Sequence, residues 1–317
     1  MLQNYSEKAQ EVLTQVNKAV IGKENEIQEI MTAFLANGHI LLEDIPGVGK
    51  TTLAVAFSRA MGLDCKRVQF TPDVMPSDIT GFSIYRRDKE KFVYQEGSVF
   101  CNLLLADEIN RTSPKTQSAL LEVMEERKVS VEGITRDVPS PFLVIATQNP
   151  LGSAGTQKLP EAQVDRFMIT MTLGYPNFES EVFIAKSIGK ERRTDIVQPV
   201  LNAEMLSEMQ KSIFDVFVKD EVYEYIVSLV GATRNHPYIK QGASPRATIA
   251  LVQMSKASAW LKGRNFVTPN DVRNQFPYVI SHRIVLSANA IMENAKKTDI
   301  INEIIQKTPK PIGERKV

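Results

Sequence analysis

The stretch Leu41-Leu42-Glu43-Asp44-Ile45-Pro46-Gly47-Val48-Gly49-Lys50-Thr51-Thr52 decides the fold. An apolar run enters it and a helix-forming run leaves it. Between them a glycine-rich turn closes on Gly49-Lys50-Thr51. This is the design of a phosphate-binding loop. Backbone N–H groups of such a turn wrap a polyphosphate, the lysine places a positive charge at its far end, and the threonine hydroxyl serves Mg²⁺. The positive end of the helix beginning near Lys50 adds its field. Pro46, Gly47, Val48, Gly49, Lys50, Thr51 and Thr52 are therefore expected at a nucleotide. One position departs from the generic G-x-x-x-x-G-K-[ST], whose first glycine falls at Asp44. Aspartate tolerates unusual backbone angles, but it brings a negative charge near the phosphates.

Working outward, His39–Glu43 reads as the strand feeding the loop and Thr51–Met61 as the helix leaving it. Upstream, Ser6–Ala19 and Glu24–Leu35 carry apolar residues at helical spacing. Downstream, strands are expected at 66–71, 102–107, 142–147 and 168–173, with a helix at Thr116–Arg127. Alternation of this kind means an α/β layered sheet with right-handed crossovers. Two hairpins interrupt it, at about 82–94 and 129–138. After Gly174-Tyr175-Pro176 no strand is expected. Helices are read near Ala203–Phe214, Asp220–Arg234, Pro245–Leu261, Pro269–Phe276 and His282–Gln306. The chain thus divides into an α/β nucleotide-binding domain, 1–190, and a smaller all-helical domain, 191–317.

Bulk properties exclude several classes. The 317 residues carry 38 basic and 37 acidic side chains, a net charge of +1. No single-sign field marks a nucleic-acid or membrane binder. Cys65 and Cys101 have no paired spacing and read as buried core thiols. His39, His236 and His282 are scattered, without zinc-ligand spacing. Met1–Gln10 lacks a signal-peptide core, and no window approaches about 18 consecutive apolar residues. A cytoplasmic location is the expectation.

The second motif is Leu103-Leu104-Leu105-Ala106-Asp107-Glu108, an apolar strand ending in adjacent carboxylates. Such an ending is unfavourable unless the charges meet a partner. A nucleotide-bound Mg²⁺ is the natural one, held by Asp107 and Thr51. Glu108, pointing the other way, would polarise the attacking water. A strand end meeting solvent is the alternative.

With these motifs in place, the chain resembles the AAA+ ATPases, and specifically the MoxR family. The loop and Leu104–Arg111 carry the resemblance, together with Gln69-Phe70-Thr71-Pro72-Asp73, Met124-Glu125-Glu126-Arg127, Ala146-Thr147-Gln148-Asn149-Pro150, Asp165-Arg166-Phe167 and Gly242-Ala243-Ser244-Pro245-Arg246-Ala247. It implies a five-stranded parallel sheet in the order 5-1-4-3-2 with an all-helical lid. In this family an aspartate at position 44 looks like an accepted variant.

The resemblance also assigns roles. Asn149 sits past the fourth strand and resembles the sensor-1 residue; a turn asparagine before Pro150 is the alternative. Arg166 resembles the arginine finger, reaching a neighbouring subunit's site; an ion pair with Asp165 or Glu161 is the alternative. Arg246 resembles the sensor-2 arginine, meeting the nucleotide between core and lid. It has its own argument: Ser244 suits an N-cap and Pro245 the first helical position, so Arg246 opposes the helix dipole unless an anion lies near. Val20-Ile21-Gly22 resembles the segment packing the adenine, although the apolar pair suits a core equally. Lys50, Glu108, Asn149, Arg166 and Arg246 are the catalytic candidates. The family implies ATP and Mg²⁺, a hexameric ring, and a chaperone-like role in maturing protein clients, often with a von Willebrand factor A domain partner. A nucleic-acid motor of the same clade and a slow nucleotide-gated binding module are the competing readings. The +1 charge argues against the motor, and Glu108 with Asn149 against the module.

Overall fold

Two helices open the chain, α1 (Leu2–Ala19) and α2 (Glu24–Leu35). Their apolar residues recur at helical spacing, and Ala9, Val12, Val16, Ile27, Ile30 and Phe34 are wholly buried. The computed structural model describes residues 2–45, 47–149, 159–187 and 192–311. Next come β1 (Ile40–Glu43), α3 (Lys50–Ala60), β2 (Cys65–Gln69), α4 (Pro76–Thr80), β3 (Gly81–Arg86), β4 (Lys91–Glu96), β5 (Leu103–Asp107) and α5 (Pro114–Glu126). They are followed by β6 (Lys128–Val131), β7 (Ile134–Asp137), β8 (Leu143–Gln148), α6 (Glu161–Val164), β9 (Ile169–Met171) and α7 (Phe178–Ala185).

Five strands form the central sheet, in the order β2-β5-β8-β1-β9, and all neighbours are parallel. Counted along the chain without the hairpin strands, and read from the β9 edge, this is 5-1-4-3-2. Alternate residues of each strand serve opposite faces. Leu41, Leu104 and Val144 pack with Leu120 and Leu121 of α5. Leu42, Leu105 and Ile145 pack with α1, α2 and α3. Each such buried leucine or isoleucine contributes about 1.5–3 kcal/mol. Both hairpins form, β3 with β4 and β6 with β7. They touch through Arg136, whose guanidinium lies 3.7 Å from the centre of the Tyr94 ring.

The remaining elements are α8 (Ala203–Ile213), α9 (Asp220–Ala232), β10 (Ile239–Gln241), α10 (Pro245–Leu261), α11 (Pro269–Ile280), β11 (Val285–Leu286), α12 (Ala288–Met292) and α13 (Lys297–Lys307). Two sequence expectations fail here. This region does contain strands: β10 and β11 pair antiparallel. They are too short to show alternation, and their pairing joins residues far apart in sequence. The helix expected over His282–Gln306 is broken, because Ser287 caps α12 through Ala290 N and Asn294 ends it at φ 54°. The expected boundary at 190/191 lies outside the described residues. α8 and α10 do not stand apart from the core. Leu206, Met209, Leu251 and Trp260 share one buried cluster with α1 and α2, so the helical region docks on that side of the sheet.

Candidate active site

The phosphate loop leaves β1 at Glu43. Gly47 and Gly49 have φ of 91° and 96°, the left-handed region that glycine enters at no steric cost. Nothing lies within 4 Å of a side chain added at either, so the backbone angle, not space, requires glycine. Gly49 caps α3, which begins at Lys50. The Lys50 amine donates to the carbonyls of Asp44 and Ile45, at 3.0 and 3.1 Å, and so curls over the loop. Pro46 lies outside the described residues.

Asp44 poses no threat to a phosphate. Its carboxylate is buried and accepts from the backbone N–H groups of Leu173 at 2.5 Å and Gly174 at 3.0 Å. The residue at the generic glycine position therefore ties the end of β9 to the start of the loop. Asp44→Ala strands two buried donors, which costs about 1–3 kcal/mol. A thermal melt should fall by about 2–4 °C per kcal/mol lost, while ATP affinity of the folded protein holds. Tighter ATP binding at unchanged stability would instead mean that the carboxylate faces the phosphates.

Asp107 and Glu108 come to the same end of the sheet. The Thr147 hydroxyl donates to Asp107 Oδ1 at 2.7 Å and accepts from Glu108 N at 2.8 Å. Asp107 Oδ2 pairs with Arg67 at 2.8 Å. Glu108 has φ 56°, which swings its carboxylate toward β2. There Gln69 Nε2 and Arg111 donate to Oε2 at 2.9 and 2.8 Å. Gln69, Thr147 and Arg111 fall in stretches that carry the family resemblance but have no site role from sequence, and Arg67 falls in none. Arg67 and Gln69 are two apart on one strand, and Gln69 is in register with Asp107, a signal visible only once β2 and β5 are known to pair. A cleft of about 340 Å³ joins Gly47, Gly49, Lys50, Thr51 and Thr52 to Arg67, Gln69, Asp107 and Glu108. The Thr51 hydroxyl and Asp107 carboxylate are hard oxygen donors, few in number. That suits Mg²⁺, which keeps water and phosphate oxygens as its remaining ligands. Asn149 follows β8, which lies between β1 and β5, and its carbonyl accepts from Asn110 Nδ2 at 3.4 Å. It therefore stands at the same end, between the loop strand and the Asp-Glu strand.

A neighbouring cavity of about 500 Å³ is lined by Val20, Ile21, Val48, Gly49, Pro176, Ile184 and Arg193, among others. Val20 is buried and Ile21 half-buried, so the pair serves core and cavity wall together. Gly22 takes φ +70°, and an added Cβ would stand 2.2 Å from Ser180 Oγ; only glycine lets α7 approach. An ion pair between Arg59 and Asp195 at 2.6 Å secures the far wall.

The two remaining arginines are elsewhere. Arg166 and Arg246 line a pocket with Gly38, His39 and Met168, at the N-terminal ends of β1 and β9. The loop and Asp107 lie at the strands' C-terminal ends, about 13 Å away across a four-residue strand. Arg246 thus lies at the opposite end of the sheet from the phosphate loop of its own subunit, whereas the sensor-2 resemblance implies a place at the nucleotide. The cause is the docking of α10. Its cap, Ser244, accepts from Arg246 N as expected, but its hydroxyl also donates to Asp165 at 3.0 Å. That bond fixes the start of α10 beside Arg166. Arg283, itself buried, donates to the other Asp165 oxygen at 2.7 Å and to the Phe167 carbonyl at 2.6 Å. Burial lowers the Arg283 pKa, and Asp165 opposes the shift. Arg166 pairs with neither Asp165 nor Glu161. Its partner is Glu125 at the end of α5, at 3.1 Å, and Arg246 pairs with the same carboxylate. His39 positions that helix end: one ring nitrogen meets the Met124 carbonyl at 3.0 Å and the other accepts from Val144 N at 3.1 Å. Burial holds the His39 pKa well below the usual value, so the ring is neutral. Arg127 is pushed down to about 10 by burial. Burial also pushes the Cys101 thiol up to about 12; Cys65 is only half-buried.

The phosphate loop, the Asp-Glu strand and the sheet order define an AAA+ ATPase. Residues 39–169 match the ATPase family associated with various cellular activities, and residues 231–304 match the AAA lid domain. YeaC of Bacillus subtilis is 43% identical over 94% of this chain and 93% of its own length. The chaperone MoxR1 of Mycobacterium tuberculosis is 39% identical, over 94% of this chain and 81% of its own. A crystal structure from Cytophaga hutchinsonii, assigned as an ATPase, superposes with a TM-score of 0.91 at 38% identity, over 98% of this chain and 97% of that one. The chain belongs to the MoxR family.

Proposed function

We propose that this protein is a Mg²⁺-dependent ATPase whose active unit is a ring, and that it remodels protein clients. One observation carries the reading: Lys50, Thr51, Asp107 and Glu108 converge on one cleft while Arg166 and Arg246 are held together at the opposite end of the sheet. The cleft and the Arg166–Arg246 pair lie on opposite ends of the sheet, so a second copy can bring one against the other. Head-to-tail contacts of this kind close into a ring where the rotation between copies closes. Both arginines then act on the neighbour's nucleotide.

In the bound state the Lys50 amine exchanges the Asp44 and Ile45 carbonyls for phosphate oxygens. Thr51 and Asp107 would hold Mg²⁺, which would supply charge neutralisation at the phosphates. Glu108 leaves Arg111 and orients water, and the Asn149 amide can position that water without adding charge. Lys50→Ala should weaken ATP binding about a hundredfold or more, the scale of losing a desolvated charge partner. Isothermal titration checks this, and unchanged affinity would refute the loop assignment.

The client role rests on kinship with a protein named as a chaperone. A hexamer, a von Willebrand factor A domain partner and a cytoplasmic location remain part of this proposal. Among the described residues no helix is long and apolar enough to cross a membrane. The competing DNA-motor reading has one feature in its favour, the exposed Arg86, Arg87, Lys89 and Lys91 at the β3–β4 tip. Asp88 and Glu90 intervene there, and Arg86 pairs with Asp88 at 3.1 Å. Salt-dependent DNA binding would revive that reading.

A further inference from the structure

We propose that Glu125 is a positioning residue for transition-state stabilisation in the neighbouring subunit: it sets Arg166 and Arg246 as one two-pronged anion receptor. This rests on the reading that both arginines act across a subunit interface. The carboxylate faces both arginines: Oε2 stands 3.1 Å from Arg166 Nε, an ion pair without hydrogen-bond geometry, and Oε1 accepts a hydrogen bond from an Nη of Arg246. Among the described residues the two terminal nitrogens of Arg166 have no partner, nor does the other terminal nitrogen of Arg246. They remain to grip a phosphate, while the Glu125 charge draws both guanidiniums together from behind. Two guanidiniums and one carboxylate leave a net +1, so the receptor stays cationic.

The surroundings support a fixed receptor rather than a chance surface pair. Glu125 sits at the end of α5, one residue from the Met124 carbonyl that meets His39. Arg166 follows Asp165, whose carboxylate is clamped by Arg283 and Ser244. Arg246 lies in the first turn of the helix that Ser244 caps. Three elements, α5, the loop before β9, and α10, therefore each deliver one member. Arg246 opposes the helix dipole there, and Glu125 offsets this until a phosphate arrives. Like-charge repulsion between Arg166 and Arg246 would otherwise splay the prongs, and misplacement of about 1 Å can cost 10²-fold in rate.

The experiment uses the assembled full-length protein. Glu125→Ala should lower kcat about 10- to 100-fold, with KM for ATP and ATP affinity within about twofold, since the cis cleft is untouched. Glu125→Gln, near-isosteric and still an acceptor, should recover part of that loss and guards against misfolding, with thermal melts as the control. The deciding measurement is a cycle with Arg166→Ala Arg246→Ala: in that background Glu125→Ala should change single-turnover rate by less than twofold, because nothing is left to position. A parental kcat for Glu125→Ala, or an equal loss in the double-arginine background, overturns the proposal. Parental turnover by the double-arginine protein itself would instead overturn the interface reading.

Discussion

Glu108→Gln will bind ATP with near-parental affinity and hydrolyse it about 10²–10⁴-fold more slowly, the usual worth of a positioned general base. The substitution is close to isosteric, and the hydrogen bond from Gln69 at 2.9 Å has an acceptor in either side chain. What is lost is the anionic oxygen. The backbone needs no new adjustment, because the left-handed turn at Glu108 is already held by the Thr147 hydroxyl on Glu108 N. Asp107 keeps its own partners, Thr147 and Arg67, so the metal-facing group is undisturbed. Steady-state phosphate release and equilibrium ATP binding, on the same preparation, separate the two quantities. Turnover within threefold of the parent would remove Glu108 from the chemistry. Weakened binding with unchanged turnover per bound ATP would recast it as a nucleotide ligand. The stalled protein also serves to capture clients, since release should follow hydrolysis.

The features that read correctly from sequence are local. The loop, the Asp-Glu strand and the Ser244-Pro245 cap each occupy a few consecutive residues, and their chemistry follows from spacing alone. Gly47 and Gly49 must be glycine for their backbone angles, which a motif encodes directly. Most of the failures depend on how distant segments dock; the break in the helix expected over His282–Gln306 is local, at the Ser287 cap and Asn294. Asp44 looked like a stray charge at the loop because its acceptors' partners, Leu173 and Gly174, are far along the chain. Arg246 is expected at the nucleotide because it resembles the sensor-2 arginine and because a cation in the first turn of a helix calls for a nearby anion. Here α10 shares its buried face with α1 and α2, and one bond, Ser244 to Asp165, puts Arg246 beside Arg166. Arg67, Gln69 and Arg111 have no site role from sequence, since only strand pairing and a turn bring them to the two carboxylates. β10 and β11 were missed for the same reason.

Arg166→Ala should lower kcat about 10³–10⁵-fold, as loss of an arginine finger does in other P-loop enzymes, and mixing variants will show whose site it serves. Arg166→Ala and Glu108→Gln proteins should each be nearly inactive alone. In a mixed ring, a subunit carrying Arg166→Ala retains Glu108, and a neighbour carrying Glu108→Gln retains Arg166. Where the first supplies the cleft and the second the arginines, the site is whole. Random equal mixing makes about a quarter of the interfaces whole if sites act independently in a head-to-tail ring, so about a quarter of parental activity should return. The same experiment decides Arg246, whose placement departs from the sequence expectation. If Arg246 served its own subunit, Arg246→Ala mixed with Glu108→Gln could never rebuild a site, because every subunit with Glu108 would lack Arg246. The shared Glu125 partner predicts rescue to the same quarter. Arg166→Ala mixed with Arg246→Ala should give none, since each neighbour then lacks one prong. Rescue in that last mixture, or its absence in the first two at every ratio, would separate the two arginines and sink the shared receptor.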